Sequence, residues 1–218
     1  MDEVIVRVLR TVACQTRLRI LAHLLGVKEA TPSQLARELG IELDLVSAHL
    51  ARLAAAGLIL RRRSGLRCFC IARSPYRDDA LSGQVLAWLR DALRAESPTK
   101  SRTRPPESAS VTAMAPPPQS HTVVFHAATA FTNLRRIQIL RRLANSKPAD
   151  VAALTRELRM SGAALGRHVR KLMRRGYVRV TRHRGRRLYQ LARDGVTPLH
   201  ARLLEVVAAH WGRQDLHS

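Results

Sequence analysis

Apolar residues recur at helical spacing through the first 25 positions. Val4, Val8 and Val12 mark one helix from about Glu3 to Cys14, and Leu18, Leu21 and Leu25 mark a second from about Arg17 to Leu25. Thr31-Pro32-Ser33-Gln34 then reads as a helix start. Thr31 can cap, Pro32 suits the first helical position, and Gln34 can reach back to the cap. That short helix ends near Gly40, and a longer one runs from about Leu43 to Ala56 and closes at Gly57. The period then changes. Leu58 to Arg63 and Arg67 to Ala72 alternate around Ser64-Gly65, which predicts a two-stranded hairpin. A last helix, carrying Leu81, Val85 and Leu89, is expected to begin after Ser74-Pro75.

The same order occurs twice. Shifting the chain by 119 positions places Arg17, Ile20 and Leu21 on Arg136, Ile139 and Leu140, and Leu35 and Arg37 to Leu39 on Leu154 and Arg156 to Leu158. His49, Leu53 and Gly57 fall on His168, Leu172 and Gly176. With one residue inserted at the hairpin tip, Gly65, Arg67, Phe69 and Ile71 match Gly185, Arg187, Tyr189 and Leu191. A shift of 123 then pairs Ser74-Pro75 with Thr197-Pro198, and Trp88 with Trp211. In the second copy Asp150 takes the place of Thr31, Ser161 caps the long helix, Gly176 ends it, and Arg184-Gly185 forms the tip. Between the copies, residues 97–122 are rich in Pro, Ser and Thr and lack any hydrophobic period, which marks a linker with a reach of roughly 25–30 Å. The expected organisation is a domain at 1–96, the linker at 97–122, and a second domain at 123–218.

Helices followed by a small hairpin and a closing helix predict a mostly α chain with small β-hairpins (α+β), as two tandem winged helix-turn-helix domains. The stretches Arg17-Leu18-Arg19-Ile20-Leu21, Leu35-Ala36-Arg37-Glu38-Leu39-Gly40, Val46-Ser47-Ala48-His49-Leu50 with Leu53, and Ala56-Gly57-Leu58-Ile59 resemble ArsR-type transcriptional regulators over residues 5 to 95. The second copy is similar but more diverged, over roughly 125 to 213. The resemblance implies pairing through the first and last helices, within one chain or between chains, and two recognition helices presented to double-stranded DNA.

Charge sharpens that expectation. The formal net charge is +22, built from 34 Arg and only 4 Lys against 16 acidic residues. Positive charge of this size suits a polyanion, because bound phosphates release their counterions. It is unevenly spread: +5 over residues 1–96, +2 over 97–122 and +15 over 123–218. A uniform compositional bias towards Arg would load both copies alike, so the asymmetry points to function.

The second recognition helix offers small residues for close approach (Ser161, Gly162, Ala163, Ala164, Gly166) and Arg167, Arg170, Lys171 and Arg174 for bases or phosphates. Its wing adds Arg182, Arg184, Arg186 and Arg187. In the first copy the equivalent helix begins with Glu42, Leu43, Asp44 and Leu45, where acids repel phosphate and leucines meet thymine methyls at best. There the candidate contacts reduce to Ser47 and Arg52, with Arg62, Arg63 and Arg67 on the wing. Its apolar residues also suit a protein partner.

Other chemistry is sparse. Three cysteines form no disulfide framework and fit a reducing cytoplasm. Cys68 and Cys70 alternate on one strand. With Phe69 and Ile71 taken as the core face, both thiols are expected outside, where they form a weak candidate for soft-metal binding or oxidation. His49 and His168 read as packed or hydrogen-bonded rather than as ligands. No cofactor is expected, no phosphate loop or catalytic constellation occurs, and no apolar run approaches membrane-spanning length. The expectation is a cytoplasmic, nucleoid-associated, non-enzymatic regulator, most simply a repressor, whose second domain binds DNA more strongly. Rival readings are a structural DNA-coating protein and an adaptor whose first domain holds a protein.

Overall fold

The computed structural model describes residues 1–94, 119–145, 147–194 and 196–211. In the first module α1 (Asp2–Val12), α2 (Gln15–Gly26), α3 (Pro32–Leu39) and α4 (Leu43–Ala55) precede the hairpin β1 (Leu60–Ser64) and β2 (Arg67–Ile71), and α5 (Leu81–Arg94) closes it. In the second, α6 (Gln119–Thr129), α7 (Leu134–Asn145), α8 (Val151–Leu158) and α9 (Gly162–Arg174) precede β3 (Val178–His183) and β4 (Arg186–Leu191), and α10 (Pro198–Ala208) follows. This is the mostly helical α+β fold expected, with one antiparallel two-stranded sheet per module.

Local chemistry explains the element ends. Thr31 and Gln34 form a capping box at α3, with Pro32 in the first turn. Asp150 accepts from the Ala153 amide at α8, and Ser161 from the Ala164 amide at α9. Gly57 and Gly176 leave α4 and α9 at φ +70° and +72°. A Cβ at Gly57 would lie 2.6 Å from the exposed Tyr76 ring, which would have to swing aside, so it is the positive φ that calls for glycine there. Arg17 and Arg136 do the same work in the two copies. Arg17 donates to the Thr11 and Arg10 carbonyls, and Arg136 to those of Ala130 and Thr129, satisfying the free carbonyls where the first helix of each module ends.

Several boundaries differ from expectation. Leu58 and Ile59 are buried ahead of β1 rather than within it. Ser74-Pro75 does not open the closing helix. Ser74 bonds Ser82 and the Tyr76 amide, and α5 starts only at Leu81, whereas Thr197-Pro198 does cap α10. Helix α6 begins at Gln119, inside the stretch read as linker, and its Ser120 and His121 are buried. The remainder of that stretch, 97–118, lies outside the described residues.

The hairpin repeat needs no inserted residue. Leu60 pairs with Ile71 and Ser64 with Arg67, while Val178 pairs with Leu191 and His183 with Arg186. A bridge joins Ala30 to Cys70 in one copy and Ala149 to Tyr189 in the other. The shift of 119 carries Leu60–Ile71 onto the pair Arg179–Gln190, Ser64–Arg67 onto His183–Arg186 and the Ala30–Cys70 bridge onto Ala149–Tyr189, with Val178–Leu191 one further pair of the second hairpin. The equivalent of Cys70 is therefore Tyr189, not Gln190. A slip of one residue turns every strand side chain to the other face, and this overturns the expected thiol placement. Cys70 is fully buried in the core, Phe69 and Ile71 are only half-buried, and Cys68 is half-buried beside them. Burial pushes the Cys70 thiol up to about 11, with a further push from Cys68.

The modules face each other through their first and last helices. Helix α5 packs on α10 and α6, and α1 on α6 and α7. The Trp88 indole, fully buried, donates to the Leu199 carbonyl at 2.9 Å. Arg10 donates to the Thr132 carbonyl at 2.9 Å, Asp2 pairs with Arg141 at 3.2 Å, and Asp91 meets Arg202 at 3.8 Å. Buried side chains from both modules form one continuous apolar cluster.

Candidate nucleic-acid interface

On α9 the core residues Leu165, Val169 and Leu172 are buried, which fixes the opposite face outward. Ser161, Gly162, Ala163, Arg167, Arg170 and Arg174 are exposed, while Ala164 and Gly166 are half-buried. Arg167, Arg170, Met173 and Arg174 surround one shallow depression. A Cβ at Gly162 would meet nothing within 4 Å, so no contact in the molecule demands glycine there. The bare backbone leaves room for an outside surface to come close. Lys171 is separated from this face. It is half-buried beside Arg174, Arg175 and Arg136, and burial followed by those charges lowers its pKa.

The second wing turns through Arg184 and Gly185, both at positive φ (47° and 76°), which is the two-residue hairpin geometry matched to strand twist. Arg182, Arg184, Arg186 and Arg187 are exposed around it, and no carboxylate pairs with any of them among the described residues. These side chains and those of α9 form a cationic surface of arginines, whose forked donors suit phosphate and guanine.

The first module presents other chemistry. Arg62 is tied to both Glu29 oxygens (3.1 and 3.0 Å) and lies 5.1 Å from the Phe69 ring centre. Arg61 is drawn towards the Cys68 and Cys70 sulfurs. Arg63 and Arg67 remain exposed. Ser47 and Arg52 do not act together. Ser47 lines the groove under the wing, whereas Arg52 lines a separate cavity at the module junction with Arg7, Arg10, Arg17 and Leu134. Thus Arg52 and its counterpart Lys171 both fall away from the face that sequence spacing suggested.

His49 is buried and His168 half-buried. Burial first, and then nearby arginines, hold both below the ordinary imidazole pKa. Among the described residues no group of three or more His, Cys, Asp or Glu is placed to hold a metal ion. No described helix is long and apolar enough to cross a membrane.

Sequence reasoning missed two features. Leu66 stands fully exposed at the first wing tip, and Met173 sits among the arginines of α9. The preference of hairpins for two-residue loops would have placed Gly65-Leu66 at the tip and exposed Leu66.

Two recognition helices, each followed by a wing, define a tandem winged helix-turn-helix protein. The model of the MarR family matches each copy, over residues 15–66 and 132–187, and the two matches indicate a DNA-binding transcriptional regulator. They support the winged-helix duplication itself rather than the ArsR type in particular. No curated protein and no solved structure matches the chain.

Proposed function

We propose that the chain is a sequence-specific repressor that binds double-stranded DNA as an intramolecular pseudo-dimer, with module 2 supplying most of the affinity. The observation that carries this reading is the uncompensated arginine surface of α9 and the β3–β4 wing, which module 1 matches only at Arg63 and Arg67 of its wing. Pairing through first and last helices supports the pseudo-dimer and follows the ArsR-type arrangement. The organisation into two domains joined by a linker, the second taken from Gln119 where α6 begins rather than from 123, belongs to the same proposal, as do Arg63 and Arg67 as phosphate contacts of module 1. The cytoplasm, on the nucleoid, is the place for such a protein.

Selection from random duplexes at fixed salt tests the proposal. The expected product is an asymmetric site, with Arg167→Ala weakening binding far more than Arg52→Ala. A palindromic site with equal losses would refute the division of labour. Binding without any preferred site, and with a steep salt dependence, would favour the structural DNA-coating alternative.

A further inference from the structure

Between the start of α3, the start of α4 and the wing, module 1 holds a groove of about 590 Å³. Thr31, Pro32 and Gln34 form one side, Leu43, Asp44 and Ser47 the floor, and Leu66 to Phe69 the other side. In module 2 the shift of 119 puts Gly162, Ala163 and Gly166 on the floor, and Gly185, Arg186 and Arg187 opposite. A phosphate strand suits that second groove. In the first, Arg67 on the wing side is the one cation among the described lining residues, and a strand entering the floor would meet the Asp44 carboxylate and Leu43.

The first groove also carries an unused strand edge. In an antiparallel hairpin successive residues point their N–H and C=O alternately towards and away from the partner. Cys70 directs both groups away from β1, to Ala30, at 2.8 and 3.0 Å. Cys68, two residues earlier, directs its own the same way, and no backbone partner meets them among the described residues. The edge thus continues past the Ala30 bridge along the groove wall. Open edges of this kind accept an added strand.

We infer that this groove binds an extended segment of a protein partner, apolar at alternate positions and carrying one Lys or Arg. The segment pairs with the Cys68 edge as a short added strand. Its apolar side chains meet Leu43, Leu66 and Phe69, the first two of which are exposed large hydrophobics, and its cation faces Asp44 with Glu42 beside it, at the α4 floor and across the groove from Arg67 on the wing. Asp44 and Glu42 have no ion-pair partner among the described residues, so the partner's cation displaces none. The inference goes beyond DNA binding by module 2 and does not depend on it.

A displayed library of random eight-residue peptides, selected on the full chain, tests this. Enriched peptides should show alternating apolar residues with one Lys or Arg. Affinity for the synthesised winner should fall at least tenfold in Asp44→Lys and in Leu43→Glu, with the fold retained because both positions are exposed and only the charge in the first turn of α4 lowers the melting temperature of Asp44→Lys slightly. Binding should slow hydrogen exchange at the Cys68 amide, which a contact made by side chains alone would not do. The absence of any enriched peptide, binding unaffected by both substitutions, or unchanged Cys68 exchange would each overturn the inference. So would a tenfold loss of DNA affinity in Leu43→Ala, which would make DNA the occupant. Peptide binding of the expected kind in a chain with no DNA affinity would support the groove and overturn the repressor reading alone.

Discussion

Position by position, α4 and α9 share a buried side and differ on the outer one. Val46, Leu50 and Leu53 stand where the second copy has Leu165, Val169 and Leu172, and all six are buried. On the outside Leu43 stands where the second copy has Gly162, Asp44 where it has Ala163, Ala48 where it has Arg167, Ala51 where it has Arg170, and Ala55 where it has Arg174. Close packing penalises change on the inner side, where even one methylene is felt. The outer side answers only to what it touches. A duplicated scaffold can therefore carry two binding surfaces of different chemistry while its packing stays constant.

The strongest way to break this comparison is to break the scaffold. Trp88→Ala should cost about 3–5 kcal/mol by chemical denaturation, because it empties a fully buried site and removes the indole bond to the Leu199 carbonyl. Trp211→Ala should cost less, since Trp211 is less buried and its indole N–H has no partner. Equal losses would mean that the two closing helices are anchored alike.

Next in size is the exchange of outer faces. Arg167→Ala should lower specific DNA affinity by about 1–3 kcal/mol. The reverse change in the first copy, Ala48→Arg with Asp44→Ala, should raise it. Titrations against the selected duplex read both, and no gain from the reverse change would show that α4 never approaches DNA.

Salt titration gives a finer measure. Removing each arginine of the second wing that meets a phosphate should flatten the slope of log affinity against log salt by about 0.9. Arg184→Ala and Arg186→Ala are expected to do so. Arg62→Ala, already paired with Glu29 and set over Phe69, should leave the slope unchanged.

The smallest effect concerns pH. His49 in module 1, and His126, His168 and His200 in module 2, are all held below the ordinary imidazole value, with burial the first cause in each. A folded-state pKa below the unfolded one means that the unfolded chain binds more protons in between. Stability is then full above about pH 6.5 and is lost as pH falls through that value towards the folded ones. Melting temperature should drop between pH 7.5 and 5.5. Replacing the three module 2 histidines by Gln should flatten the drop more than His49→Gln.

Much of the fold was legible because it rests on local chemistry. The Thr31–Gln34 box, the Ser161 cap and the glycines closing α4 and α9 act within a few residues of themselves. The hairpin register was not legible. Gly65 aligns with Gly185 by residue type, yet both wings keep two-residue loops, so the tip glycine sits first in one and second in the other. That one-position slip carried Cys70 from the surface to the core. The candidate site was half legible. Spacing along α9 exposed Arg167 and Arg170 correctly, but Lys171 and Arg52 turn towards the module junction, where the deciding neighbours (Arg136, Arg17) are distant in sequence.

The bond from Trp88 to the Leu199 carbonyl has no twin among the described residues, where the Trp211 indole N–H finds no partner. In an assembly of identical subunits a symmetry axis copies every contact, and each mutation is felt twice. In the proposed pseudo-dimer a mutation is felt once, and the two halves are free to drift apart. Joining them in one chain would also remove a dissociation step. Occupancy of a DNA site would then rise with the first power of chain concentration, where a separable pair would follow the square when dilute. On that proposal the dose response should be graded rather than switch-like.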